Sequence, residues 1–208
     1  MRHEIPVKPN SQRKVVFTDT VIWSDGVELP YNDVVGISFY SGYSQGRLFD
    51  SSAGVIILRS ASKRLKISIR NVGFWGAGTS MVNSYAEICQ EIMRRVAPLV
   101  LKRLVEQILA GGTVQIGRLT IDSVGITSAN ALGSRKRATW NLSPEVRTTT
   151  KDHWYVAMTR SGVLEVSYFY PPTGKMIAVG TATSRDENGS LLSSLLLFMT
   201  QLHKARNA

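Results

Sequence analysis

The sequence predicts an α+β chain, mainly antiparallel β, made of two similar strand-rich units that each end in a closing helix. Three observations carry this. The two halves resemble one another at a spacing of about one hundred residues. Short apolar runs alternate with polar residues and are broken at Gly-containing turns. An amphipathic stripe at helical spacing closes each half.

Taken in order, residues 1–12 (MRHEIPVKPNSQ) hold two prolines and no continuous apolar segment, so they read as a flexible tail and not as a signal peptide. The first unit is expected over residues 13–97, a helical join over 98–111 and the second unit over 112–208. An offset of 99 pairs Val15 with Val114, Phe17 with Ile116, Ile22 with Ile121, Ser24 with Ser123, Gly26 with Gly125 and Val27 with Ile126. Each half thus opens on two short strands around a Gly turn.

The motif Pro30-Tyr31-Asn32 then matches Thr139-Trp140-Asn141 at an offset of 109, which assigns about ten extra residues to the second half. Arg59-Ser60 matches Arg160-Ser161 at an offset of 101, which assigns the first half an insertion near Ser41–Ser52. Alternating strands are expected over 55–58 and 65–69, and over 154–158 and 163–168. Core packing is the expected role of the strand aromatics Trp23, Trp154, Tyr155 and Tyr168, and of Tyr31 and Trp140 in the motif.

Ser84 with Glu87 reads as a capping box ahead of Ile88, Ile92 and Val96. Pro98 should kink this helix or start a second, and the segment Leu99–Leu109 should stop at Gly111-Gly112 in a left-handed cap. In the second half Asn188 or Ser190 is the candidate cap of a stripe formed by Leu191, Leu192, Leu195, Leu196, Met199 and Leu202.

A strand-rich unit of this length, with a Trp/Tyr-Asn motif after its first hairpins and one C-terminal helix, resembles the pleckstrin-homology-like (PH-like) fold. The resemblance extends over residues 13–205 and is similar to that of bacterial proteins carrying two such units in tandem, a similarity that brings no known activity with it. It implies two bent-sheet barrels, each closed by its helix. It also implies that basic residues around the opening between the first hairpins are where an anionic ligand would sit.

The charge agrees with an anionic partner. The chain has 25 Lys and Arg against 15 Asp and Glu, a formal net charge of +10 spread over both halves. The candidate anion contacts are Arg135, Lys136 and Arg137 in the extra segment of the second half, Arg118 as the candidate for the basic first-strand residue that the resemblance implies, and Lys63, Arg64 and Lys66 at a hairpin of the first half. The glycine-flanked Phe74 and Trp75, with Tyr43 and Arg47 in the Ser41–Ser52 insertion, are candidate contacts for a protein partner. Gly73-Phe74-Trp75-Gly76-Ala77-Gly78 lacks the Gly-Lys-Ser/Thr ending of a phosphate-binding loop and the spacing of a dinucleotide fingerprint.

Nothing in the sequence assembles a catalytic group. His3, His153 and His203 have no metal-ligand spacing, and the single cysteine, Cys89, reads as a core thiol. The expectation is a non-enzymatic adaptor with neither cofactor nor metal. Its partner is a protein or a second copy in the first place, an acidic membrane surface in the second and nucleic acid in the third. No apolar run reaches the length of a membrane span. The expected location is cytoplasmic, with peripheral attachment to a membrane as the alternative.

Overall fold

The computed structural model describes residues 2–7, 12–45, 50–73, 79–129, 135–140, 154–158, 163–170, 175–183 and 185–206. The chain divides into two compact units, Met1–Val100 and Leu101–Ala208. It is α+β, with antiparallel sheets and three α-helices among the described residues.

In the first unit, strands β1 (His3–Pro6), β2 (Lys14–Phe17), β3 (Val21–Ser24) and β4 (Val27–Pro30) pair in the order β1-β2-β3-β4. A 3-10 turn, Tyr31–Asp33, leads to a three-stranded sheet, β5 (Gly36–Gln45), β6 (Asp50–Arg59) and β7 (Arg64–Gly73), and then to helix α1 (Thr79–Arg95). The period-two pattern decides what is buried: Ile56 and Leu58 on β6 and Leu65, Ile67 and Ile69 on β7 are all within 1% of full burial, while Lys66 between them is exposed. Helix α1 adds Ile88 and Ile92 to this core. Each such aliphatic side chain contributes about 1.5–3 kcal/mol by leaving water. Helix and sheet approach closely at Gly54 of β6, where a Cβ would collide with the Tyr85 ring, and the Tyr85 hydroxyl donates to the Tyr40 carbonyl at 3.0 Å.

Helix α2 (Ala97–Leu109) begins one residue after α1 ends, with Pro98 in its first turn, where a missing amide costs least. It stops as expected. The Gly112 amide reaches the Gln107 carbonyl at 2.9 Å and the Gly111 amide reaches Ile108 at 3.0 Å, with Gly111 at φ +85°. This is the paired bonding of a Schellman cap.

The second unit has β8 (Val114–Ile116), β9 (Leu119–Ile121), β10 (Gly125–Ala129) and β11 (Arg135–Thr139) in the sheet order β11-β10-β9-β8. It continues with β12 (Trp154–Met158), β13 (Val163–Tyr170) and β14 (Lys175–Thr183) in a second sheet, and ends in α3 (Leu192–Arg206). Leu192, Leu195, Leu196 and Met199 of α3 are buried.

Several expectations are corrected. Residues 1–12 are not simply a tail: β1 pairs with β2, and Ile5 and Val7 are 1% exposed, because two apolar residues at strand spacing can be buried by one short edge strand. Pro6 is tolerated there as the last residue of an edge strand. Among the described residues the strands form four separate sheets, and none closes into a barrel. Helix α1 starts at Thr79, five residues before Ser84, so Ser84 is a buried helical residue and not a cap. Asn188 does occupy the first position of a 3-10 turn, Gly189–Leu191, but in the left-handed conformation and without a side-chain capping bond.

The internal repeat is shifted by one strand relative to the sequence alignment. In the first unit the Thr18 hydroxyl accepts the Val21 amide at 3.0 Å, the Tyr31 hydroxyl donates to the Thr18 carbonyl at 2.8 Å, and the Tyr31 amide donates to Thr20. In the second, Asp122 Oδ1 accepts the Gly125 amide at 2.8 Å, Trp140 Nε1 donates to the Asp122 carbonyl at 2.9 Å, and the Trp140 amide donates to Val124. Thr18 therefore corresponds to Asp122 and Tyr31 to Trp140. Strands β1 to β4 correspond in order to β8 to β11. The supposed ten-residue insertion is β11, the counterpart of β4. Of the stretch Ser41–Ser52, residues 41–45 and 50–52 pair as the ends of β5 and β6, and residues 46–49 lie outside the described residues. Arg59 ends a central strand, whereas Arg160 and Ser161 lie outside the described residues.

Candidate functional site

The turn anchors explain why the hairpins hold their shape. In each unit one short side-chain acceptor, Thr18 or Asp122, ties the turn amides, and a buried aromatic donor pins the turn carbonyl. The last turns of the helices meet the same place: Arg95 Nη1 donates to the Thr18 carbonyl at 2.7 Å, and the His203 ring stacks on Trp140 with centroids 6.1 Å apart. Arg95 is held by Glu91 at 2.6 Å, and Arg94 also reaches Glu91 at 2.7 Å. These guanidiniums, Arg94 first, hold the Glu91 carboxyl down at about 2. His3 Nε2 lies 3.2 Å from Glu87, joining β1 to the same helix.

Against this frame the basic clusters separate. Arg137 lies on β11 opposite Thr127, and its Nη2 is 3.1 Å from Asp122 Oδ2. Its charge is therefore committed to the turn that Asp122 organises. Arg135 and Lys136 stand on the same strand, opposite Ala129 and Ser128; for these two residues and for Tyr43 only the backbone position is described. Arg118 is not on the first strand but exposed in the two-residue turn between β8 and β9. Arg47, Phe74 and Trp75 lie outside the described residues.

The β6–β7 hairpin of the first unit is different. Ser60, 6% exposed, accepts the Lys63 amide on its hydroxyl at 2.9 Å, and its own amide donates to the Lys63 carbonyl at 2.8 Å. This serine turn forces Arg59 and Arg64 into direct cross-strand register, with Leu58 and Leu65 buried just inside them and Lys66 opposite Ile57. Like charges placed opposite one another cost about 0.2–1 kcal/mol. Arg59, Lys63, Arg64 and Lys66 are all exposed. Lys63, Arg64 and Lys66 form no ion pair among the described residues; Lys63 Nζ reaches only a backbone carbonyl, that of Glu28, at 3.4 Å. The sequence gives the reason: no acidic residue occurs between Asp50 and Glu87. That acid-free run was the available signal for preferring this hairpin over Arg135–Arg137.

Cys89 is half-buried beside Tyr85, and burial pushes its thiol up to about 11; burial likewise raises the Tyr85 hydroxyl. A thiol so protonated is a weak nucleophile. No group of three or more His, Cys, Asp or Glu side chains is arranged to hold a metal ion among the described residues. No described helix is long and apolar enough to cross a membrane. Comparison with known proteins gives no match to a family model, a curated protein or a solved structure.

Proposed function

We propose that this chain is a non-enzymatic binding module of two PH-like units that engages an anionic partner through the β6–β7 hairpin of its first unit. What supports the PH-like reading is the order within each unit: four antiparallel strands, three antiparallel strands, then a helix. The observation that carries the anion reading is the set of exposed Lys63, Arg64 and Lys66 at the β6–β7 turn, none of which has an acidic partner among the described residues. Three such cations at one turn offer an anion bound across the hairpin several charge-assisted hydrogen bonds. The partner class is an acidic lipid headgroup at a membrane surface, which makes the protein a cytoplasmic one with reversible peripheral attachment.

Vesicle co-sedimentation tests this. Each basic residue near an anionic surface contributes about 1 kcal/mol, so Lys63→Gln/Arg64→Gln/Lys66→Gln should weaken binding by about 3 kcal/mol, roughly 150-fold. Binding should also fall as salt rises. Equal binding of wild type and variant, or equal binding to neutral and anionic vesicles, overturns the reading.

A second reading, a protein or second-copy contact, is favoured by the outer face of α3. Leu197 is 60% and Phe198 43% exposed, and no charged residue lies among Ser193, Ser194, Leu197, Phe198 and Gln201. Concentration-dependent self-association lost in Leu197→Ser/Phe198→Ser supports it; a wild type that stays monomeric as concentration rises removes self-association from it.

A further inference from the structure

We infer that the outer face of the first unit's four-stranded sheet carries a second recognition spot of opposite preference: Trp23 and Glu28 together accept the cationic side chain, a guanidinium above all, of a basic segment on a partner protein. The strand tryptophans are expected from sequence to pack, but Trp23 is 36% exposed. In the register Trp23 lies between Val16 on β2 and Glu28 on β4, so the three stand side by side on one face. Val16 is 5% exposed and gives the spot an apolar side, while Glu28 is exposed and gives it a charged one.

Both groups are open. Trp23 makes no ring contact, cation–π contact or side-chain hydrogen bond, and the Glu28 carboxylate no ion pair, among the described residues. This is notable in a chain with 25 basic and 15 acidic residues, where acids readily find cations. Neighbouring Glu4 is taken by Arg2 and Lys14, and Asp25 by Arg13 through Nε at 2.9 Å. Lys63 donates to the Glu28 main-chain carbonyl at 3.4 Å, and the carboxylate has no ion-pair partner among the described residues. At the corresponding position of the second unit, between Ile126 and Ser128 where the first has Trp23 between Ile22 and Ser24, stands Thr127, which has no aromatic face to offer.

A tryptophan face beside a carboxylate binds a guanidinium twice over, by stacking on the ring and by charge-assisted hydrogen bonds to the oxygen pair. The +10 chain repels cationic peptides at long range, so binding of one reports a local acceptor.

The test is titration of the full chain with a fluorescently labelled hexa-arginine peptide at near-physiological salt, read by anisotropy. Wild type should bind; Trp23→Ala should weaken binding about five- to tenfold, Trp23→Phe should restore most of it, and Glu28→Gln should weaken it about fivefold. Lys63→Met should strengthen it by removing the neighbouring cation. That variant also separates this proposal from the anion reading, because it weakens binding to anionic vesicles. Absence of wild-type binding, or equal binding by wild type and by a Trp23→Ala variant whose thermal unfolding is unchanged, overturns the proposal.

Discussion

Replacing Tyr31 with phenylalanine removes one hydroxyl from the anchor of the β2–β3 turn, and with it that hydroxyl's contact with the Arg95 guanidinium. Tyr31 is 4% exposed, and its hydroxyl donates to the Thr18 carbonyl at 2.8 Å; the same carbonyl also accepts Arg95 Nη1 at 2.7 Å. Tyr31→Phe should therefore cost about 1 kcal/mol, because the carbonyl keeps one partner. Arg95→Met should cost a similar amount, about 1–2 kcal/mol, since it also removes one of the two guanidiniums that hold Glu91. The double variant leaves a part-buried carbonyl with neither donor and should cost about 1 kcal/mol more than the sum of the two. Thermal unfolding of the full chain provides the assay: Tyr31→Phe should lower the midpoint of the first unit's transition by about 4–8 °C. Strict additivity of the two substitutions, or a neutral Tyr31→Phe, would refute the shared-carbonyl reasoning.

Three further outcomes follow from the same geometry. Glu91 has its carboxyl held at about 2, below its ordinary value of 4.5, so its stabilisation is complete above pH 4.5 and disappears as pH falls through 2. Glu91→Gln should thus lower stability at pH 6 by at most about 3 kcal/mol, with the gap from wild type closing between pH 4.5 and 2 in urea titrations. Cys89, pushed from 9.0 to about 11, should react with a thiol reagent at pH 8 about 100-fold more slowly than an unstructured cysteine, and unfolding in urea should abolish the difference. Gly111→Ala places a Cβ at φ +85° in the α2 cap and should cost about 1–2 kcal/mol by chemical denaturation, whereas Ala110→Gly, outside the left-handed position, should cost no more than about 1 kcal/mol.

The elements that could be read from sequence were those with a strong local cause. Pro98 and Gly111 mark the two ends of α2 because one lacks an amide and the other tolerates a positive φ. Tyr31 and Trp140 are recognisable as counterparts because both are aromatic donors preceding an asparagine. The strand alignment failed for a physical reason: strands of three to five apolar-alternating residues look alike after a shift of one hairpin, and only a hydrogen bond to a particular carbonyl fixes the register. Strand β1 is hidden because one buried strand residue, Ile5, with Val7 just beyond the strand, gives too short a pattern to recognise.

The site divides in the same way. Lys63, Arg64 and Lys66 could be named as a cluster from sequence, and so could Arg135, Lys136 and Arg137. Composition does not say that Arg137 is spent on Asp122, fifteen residues earlier and across the sheet. Nor does alternation within β3 reveal that Trp23 faces outward, since a tryptophan on either face gives the same spacing.

The most direct test of the hairpin as an anion contact is amide chemical-shift mapping of the isotope-labelled full chain during titration with inorganic tripolyphosphate. The account predicts that the largest shifts fall on Ser60 to Lys66 and vanish in Lys63→Gln/Arg64→Gln/Lys66→Gln. Shifts concentrated on Arg118 and Arg135 to Arg137, or no shifts at any residue, would contradict it.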